Sequence, residues 1–140
     1  GTMIPLSPLQ HLDTHTLVWW ASGIKAQVSV AAMEAIEAEM PGGDIFVSSI
    51  SAWELAMLVD RGRIDLSMDI ERWLSVVGQI EAVRFVPMDN EIALKSVALP
   101  GEFHKDPADR IIVATARKFA APLVTADERI RAYPHVKTIW

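Results

Sequence analysis

The chain has 140 residues, 51% of them hydrophobic, a formal net charge of −5 and a mean hydropathy of +0.23, which supplies core material for one compact domain. A pI near 5.3 argues against nucleic-acid binding through a general basic coat, and the absence of cysteine excludes a disulfide framework, a thiolate metal site and a thiol nucleophile. No apolar run is long enough to cross a bilayer, and Ile4 to Leu12 is too interrupted by Pro5, Ser7 and Pro8 for a signal sequence, so a cytoplasmic protein is expected. Gly1-Thr2 ahead of Met3 reads as a tag remnant, leaving 3–140 as the domain.

Strand and helix signals then alternate with short joins and no internal repeat, the pattern of an α/β domain. Leu9 to Asp13 reads as the first strand. Val28 to Met40, rich in Ala and Glu, reads as a helix stopped by Pro41-Gly42-Gly43, and Ile45 to Ser48 as the second strand. Ala52 to Asp60 reads as a helix ended by Gly62, which suits a left-handed C-cap. A further helix runs through Ile70, Trp73, Leu74 and Val77, followed by a third strand, Arg84 to Met88, and a helix from Ile92 to Val97. Pro107 to Ala120 is the longest helix, with Ile111, Ile112, Ala114, Thr115 and Ala116 forming a wide buried stripe. Leu123 to Thr125 reads as the fourth strand and Lys137 to Trp140 as a fifth.

Four carboxylates, Asp13, Glu54, Asp109 and Asp127, each follow a short apolar run that reads as a strand, at the entry to the next helical stretch. In an open parallel sheet this spacing predicts all four on one edge, where they can share a metal ion. A local explanation competes, because carboxylates favour helix N-termini. Ser51-Ala-Trp-Glu54 and Thr125-Ala-Asp-Glu128 both fit a capping box, and Asp106-Pro107-Ala108-Asp109 puts Asp at the N-cap, Pro at the first helical position and Asp in the first turn. Asp13 stands apart, since a charge closing a buried strand is costly unless compensated. Right-handed crossovers bring every strand's carboxyl end to the same side. Gathered there, like charges repel, and a divalent cation resolves the conflict. All-oxygen donors with no Cys and no His pair favour Mg2+ or Mn2+ over Zn2+, and phosphoryl transfer to water is the chemistry that follows.

Four sequence blocks carry a resemblance: Leu12-Asp13-Thr14-His15-Thr16-Leu17, Ser49 to Leu58, His104-Lys105-Asp106-Pro107-Ala108-Asp109-Arg110, and Leu123-Val124-Thr125-Ala126-Asp127. In this order, over nearly the whole chain, they resemble a PIN domain, in particular the VapC-type toxin of bacterial type II toxin–antitoxin pairs. The resemblance implies a single PIN-like domain, a parallel sheet ordered 3-2-1-4-5 with helices on both faces. It implies that Asp13, Glu54, Asp109 and Asp127 are the catalytic quartet holding Mg2+ or Mn2+, with Thr125 supporting the site by a hydrogen bond. The implied activity is endoribonuclease cleavage of tRNA, rRNA or mRNA in a bacterial or archaeal cytoplasm. The implied partners are the RNA substrate and a cognate antitoxin whose C-terminal segment lies in a groove beside the active site, within a homodimer or a toxin–antitoxin hetero-oligomer. Exposed apolar surface is accordingly expected around residues 14–20 and 50–60.

Asp106 is fully explained as an N-cap beside Pro107 and is read as a supporting residue. His104, Lys105 and Arg110 are candidate substrate contacts, and His15 lies one turn into the first helix; no His pair has metal-ligand spacing. Arg117, Lys118, Arg129 and Arg131 fall in the same third of the chain, where a solvated helix face is the ordinary role of each. Of the tryptophans, Trp53 and Trp73 are expected in the core, and of the adjacent Trp19 and Trp20 one inside and one nearer the surface. A phosphorelay receiver is disfavoured because paired acids after the first strand are missing. A haloacid-dehalogenase-type phosphatase is disfavoured because Asp13-Thr14-His15 lacks the second Asp. An RNA-processing nuclease outside any toxin pair, and a catalytically silent RNA-binding module, remain as alternatives; four intact acids speak against the second.

Overall fold

The computed structural model describes residues 10–140, so Gly1, Thr2 and Leu9, where the first strand was expected to open, lie outside the described residues. Five strands, β1 (Gln10–Leu12), β2 (Ile45–Ser48), β3 (Val83–Val86), β4 (Leu123–Val124) and β5 (Thr138–Ile139), form one parallel sheet ordered β3-β2-β1-β4-β5. The helices are α1 (Thr14–Ala21), α2 (Val30–Glu39), α3 (Ile50–Asp60), α4 (Ile70–Gly78), α5 (Asn90–Val97), α6 (Pro107–Lys118) and α7 (Glu128–Arg131), with one 3-10 turn at Lys25–Gln27.

Period-two alternation sorts the strand side chains into two cores. Leu12, Ile45, Val47, Val83 and Val124 pack with Leu17 of α1, Ile36 of α2 and Trp73 and Val77 of α4. Leu123 faces the other way, onto Ile92 of α5, Ile111 and Val113 of α6 and Ile130 of α7. His11 and Phe46, on neighbouring strands, stack at 4.6 Å, and Phe119 just past α6 meets Phe46 edge-on at 5.2 Å. Helices therefore cover both faces, as expected from the sequence.

Several boundaries differ from the expected ones for local reasons. Asp13 leaves the first strand and caps α1 instead. The third strand runs Val83–Val86 and stops before Pro87, which has no N–H for the ladder. Helix α2 starts at Val30, capped by the Ser29 hydroxyl on Ala32 N–H at 3.1 Å, because Val28 closes the preceding 3-10 turn. Helix α3 starts at Ile50, so Ser51 lies inside it and the expected Ser51–Glu54 capping box does not form. Helix α6 stops at Lys118 because Ala120 takes φ 49°; its N–H donates to the Arg117 carbonyl and that of Ala121 to the Ala116 carbonyl, a Schellman closure. The expected left-handed cap at Gly62 is present: φ is 68°, Gly62 N–H donates to Val59 and Arg63 N–H to Leu58.

Candidate active site

The carboxyl ends of β1 and β4 lie side by side, and the chain leaves each through an acidic turn. Asp13 is buried, with extended backbone. Its Oδ1 accepts the Thr16 N–H at 3.0 Å, and its Oδ2 accepts the hydroxyl of fully buried Thr125. The same hydroxyl accepts the Asp127 N–H at 3.0 Å, which leaves its own proton to point at Asp13. Thr125 thus ties two acids together across 112 positions of sequence. It is not the N-cap of a Thr125–Glu128 capping box; Asp127 caps α7, its Oδ1 accepting Arg129 N–H at 2.9 Å and Ile130 N–H at 3.3 Å.

Asp109 does not follow a strand, contrary to the sequence reading. It sits in the first turn of α6, reached through the irregular segment after α5, and Asp106 Oδ1 caps that helix by accepting the Asp109 N–H at 3.0 Å. Pro107 occupies the first turn, where no backbone donor is needed. Glu54, one turn into α3, completes the group. Carboxylate oxygens of Glu54, Asp106 and Asp109 all lie within 4.8 Å of one another, and Asp13 and Asp127 line the same cavity of about 360 Å³. Asp106 therefore joins the four expected acids. Its capping oxygen and its site-facing role are compatible because a carboxylate has two oxygens.

This crowding has an electrostatic signature. Burial, followed by Asp106, Asp127 and Glu54, pushes Asp109 up to about 7, with Arg129 opposing. Burial raises Glu54 against the Thr14 hydroxyl, with Asp106 and Asp13 adding to the rise, and burial raises Asp13 against its Thr125 and Thr16 hydrogen bonds.

The remaining candidates divide. His104 turns inward, Nε2 lying 3.1 Å from Asp109 Oδ2, and His15 lines the cavity while its ring sits 5.7 Å from that of Trp19. Arg110 gives its guanidinium to four backbone carbonyls, including those of Ser96 and Phe103, and Lys105 lies exposed beside it on a shallow depression apart from the acids. Arg117 and Lys118 are engaged elsewhere, with the His135 carbonyl and with Asp89 and Glu91. Arg129, read from sequence only as one of several cations, stands at the cavity mouth, 3.8 Å from Asp109 and 4.0 Å from Asp127. Its position two residues past Asp127, at a helix entry, was the available signal. Trp73 is buried as expected, Trp19 and Trp20 are both half-buried, and Trp53 is 51% exposed rather than in the core. Helix α3 is apolar around its circumference, so periodicity could not say which side faces out.

Residues 11–136 match the PIN domain family. The chain is 40% identical over 131 residues to Ribonuclease VapC22 of Mycobacterium tuberculosis, covering 92% of this chain and 96% of that protein. Two solved structures share the fold. One is a toxin-antitoxin complex from Klebsiella pneumoniae, with TM-score 0.63 at 24% identity over 91% of this chain and 94% of that one. The other is VapBC2 from Rickettsia felis bound to a promoter DNA fragment, with TM-score 0.68 at 16% identity over 93% and 96%. The span matched to the family contains Asp13, Glu54, Asp106, Asp109 and Asp127, and the chain belongs to the PIN domain family.

Proposed function

We propose that this chain is a metal-dependent endoribonuclease acting as the toxin of a type II toxin–antitoxin pair, with Asp13, Glu54, Asp109 and Asp127 as the catalytic and metal-holding acids. The observation that carries the reading is the convergence of these acids, with Asp106, on one cavity from β1, α3, α6 and β4. The relative's name, a ribonuclease at 40% identity over nearly its whole length, supports RNA as the substrate.

The donor set fits a hard divalent cation: all oxygen, with carboxylates close enough to share one ion and too close to remain charged together without one. Mg2+ or Mn2+ held by these carboxylates would supply activation of water and stabilisation of charge on the phosphate and the leaving oxygen. The chain's own residues do the rest. Thr16 and Thr125 fix Asp13, so its orientation needs no rearrangement when a ligand arrives. Asp106 and Asp127 each commit Oδ1 to a helix cap, which leaves Oδ2 uncommitted to that cap. Arg129, 64% exposed at the cavity mouth, is placed to meet a phosphate oxygen of an entering RNA.

A second groove, of about 620 Å³, shares His15 and Trp19 with the acidic cavity and is amphipathic, with Val18, Ile64, Met68 and Val77 in its walls beside Arg63 and Asp65. We assign it to an amphipathic segment of the antitoxin, which from there covers the mouth of the site. Exposed Trp53 on α3 adds apolar surface for assembly.

The deciding experiment incubates purified protein with total cellular RNA and Mg2+ or Mn2+, against chelator and against Asp109→Asn. Discrete fragments lost in both controls are expected. RNA bound but uncut moves the assignment to a binding module, and cleavage without growth arrest on expression moves it to an RNA-processing nuclease.

A further inference from the structure

His104 lies in the irregular segment between α5 and α6, yet its ring is held from several sides. Arg110 donates one NH1 to the carbonyls of Phe103 and His104 at 3.0 and 3.2 Å, while its Nε and NH2 reach the Ser96 and Val97 carbonyls at 2.8 and 3.2 Å. The segment is thereby pinned to α5 and α6 together. The Phe103 ring lies 4.3 Å from the imidazole, and the Asp106 backbone N–H donates to Nδ1 at 3.4 Å. With Nδ1 accepting that N–H, a neutral imidazole carries its proton on Nε2.

That Nε2 is closed off from water and faces Asp109 Oδ2 at 3.1 Å, off the straight hydrogen-bond line. Arg129 approaches the same oxygen at 3.8 Å. Both side-chain donors beside Asp109 thus stand on one of its two oxygens. We propose that His104 is a positioning residue for Asp109: its Nε2–H engages Oδ2 and leaves Oδ1 to face the cation. This role rests on the metal site proposed above. It replaces substrate contact for His104, because an N–H closed off from solvent is not available to RNA. Partners that orient carboxylate ligands in this way affect metal affinity by about 10–100-fold.

The test titrates the purified full chain with Mn2+ by calorimetry, for wild type, His104→Ala and His104→Gln, and measures RNA binding in chelator for all three. Gln presents an amide N–H near the position of Nε2. His104→Ala is expected to bind Mn2+ about 10–100-fold more weakly, with His104→Gln within about threefold of wild type and metal-free RNA affinity unchanged throughout. Wild-type Mn2+ affinity in His104→Ala overturns the role. A His104→Gln protein as weak as His104→Ala overturns it in favour of ring packing, and metal-free RNA binding lost in both restores substrate contact. A wild type that takes up no Mn2+ removes the metal reading itself, and this role with it.

Discussion

At Asp13 one carboxylate oxygen accepts the N–H that opens α1 while the other accepts the Thr125 hydroxyl, so the side chain is fixed before any ligand is present. Asp13→Asn keeps the volume but removes the ligand charge, and we expect it to abolish RNA cleavage, at least about a hundredfold, while far-UV circular dichroism stays native. Thr125→Val should act through stability as well, because it leaves the Asp127 N–H and an Asp13 oxygen without their partner; a loss of about 1–3 kcal/mol in urea unfolding is expected. His11 makes a pH prediction outside the acid cluster. Buried against Phe46, with neither ring nitrogen hydrogen-bonded among the described residues, it is lowered from 6.5 to about 3 by desolvation. The unfolded chain therefore binds the proton more readily, so stability present above pH 6.5 is lost progressively as pH falls from there towards 3. His11→Phe should remove that component, and the two proteins' unfolding free energies should diverge by a few kcal/mol on acidification. Parallel stability curves would contradict the burial of a neutral ring.

Helices α1, α6 and α7 each begin at an aspartate that lines the site, so capping and facing the cavity are compatible roles of one carboxylate. Sequence could pose that choice but not resolve it, since both roles select the same residue type at the same place. Boundaries were legible at Gly62 and Pro107, where a stereochemical signal was used, and shifted at Pro87, where one was passed over, and at Ser51 and Thr125, where the signal was only polar. Ser51 and Thr125 resemble N-caps, yet the one lies inside α3 and the other turns its hydroxyl to Asp13. The end of α6 was overrun because Ala at position 120 gives no warning of a left-handed conformation. That strain should be relievable: Ala120→Gly is expected to stabilise the protein by up to about 1 kcal/mol, and Gly62→Ala at the matching place after α3 to destabilise it by about the same, both read from denaturant midpoints.

Across the whole molecule, the site straddles the two cores. Leu17 and Leu55, from the helices carrying Asp13 and Glu54, belong to one, and Ile112 and Ile130, beside Asp109 and Asp127, to the other. The sheet order was available from the resemblance, and the gathering of Asp13, Glu54 and Asp127 from topology; Asp109 was named without its true approach through α6, Asp106 only as a supporting residue and Arg129 only as one of several cations, because their place depends on the exact turn geometry at α6 and α7. A cation bound here would clamp both halves. Mn2+ at about a hundred times its dissociation constant should add about 2.7 kcal/mol to unfolding, visible as a raised melting temperature. Asp109→Asn should lose that shift while melting higher than metal-free wild type, since it removes one charge from the crowded cluster. The parallel order also sets when the site exists at all. Strand β1 is the first element described, but its acid meets Thr125 and Asp127 only after β4 has been added beside it, 112 residues later. A growing chain thus carries these acids apart, and the proposed site cannot assemble before Thr125 and Asp127 have been made and laid beside Asp13.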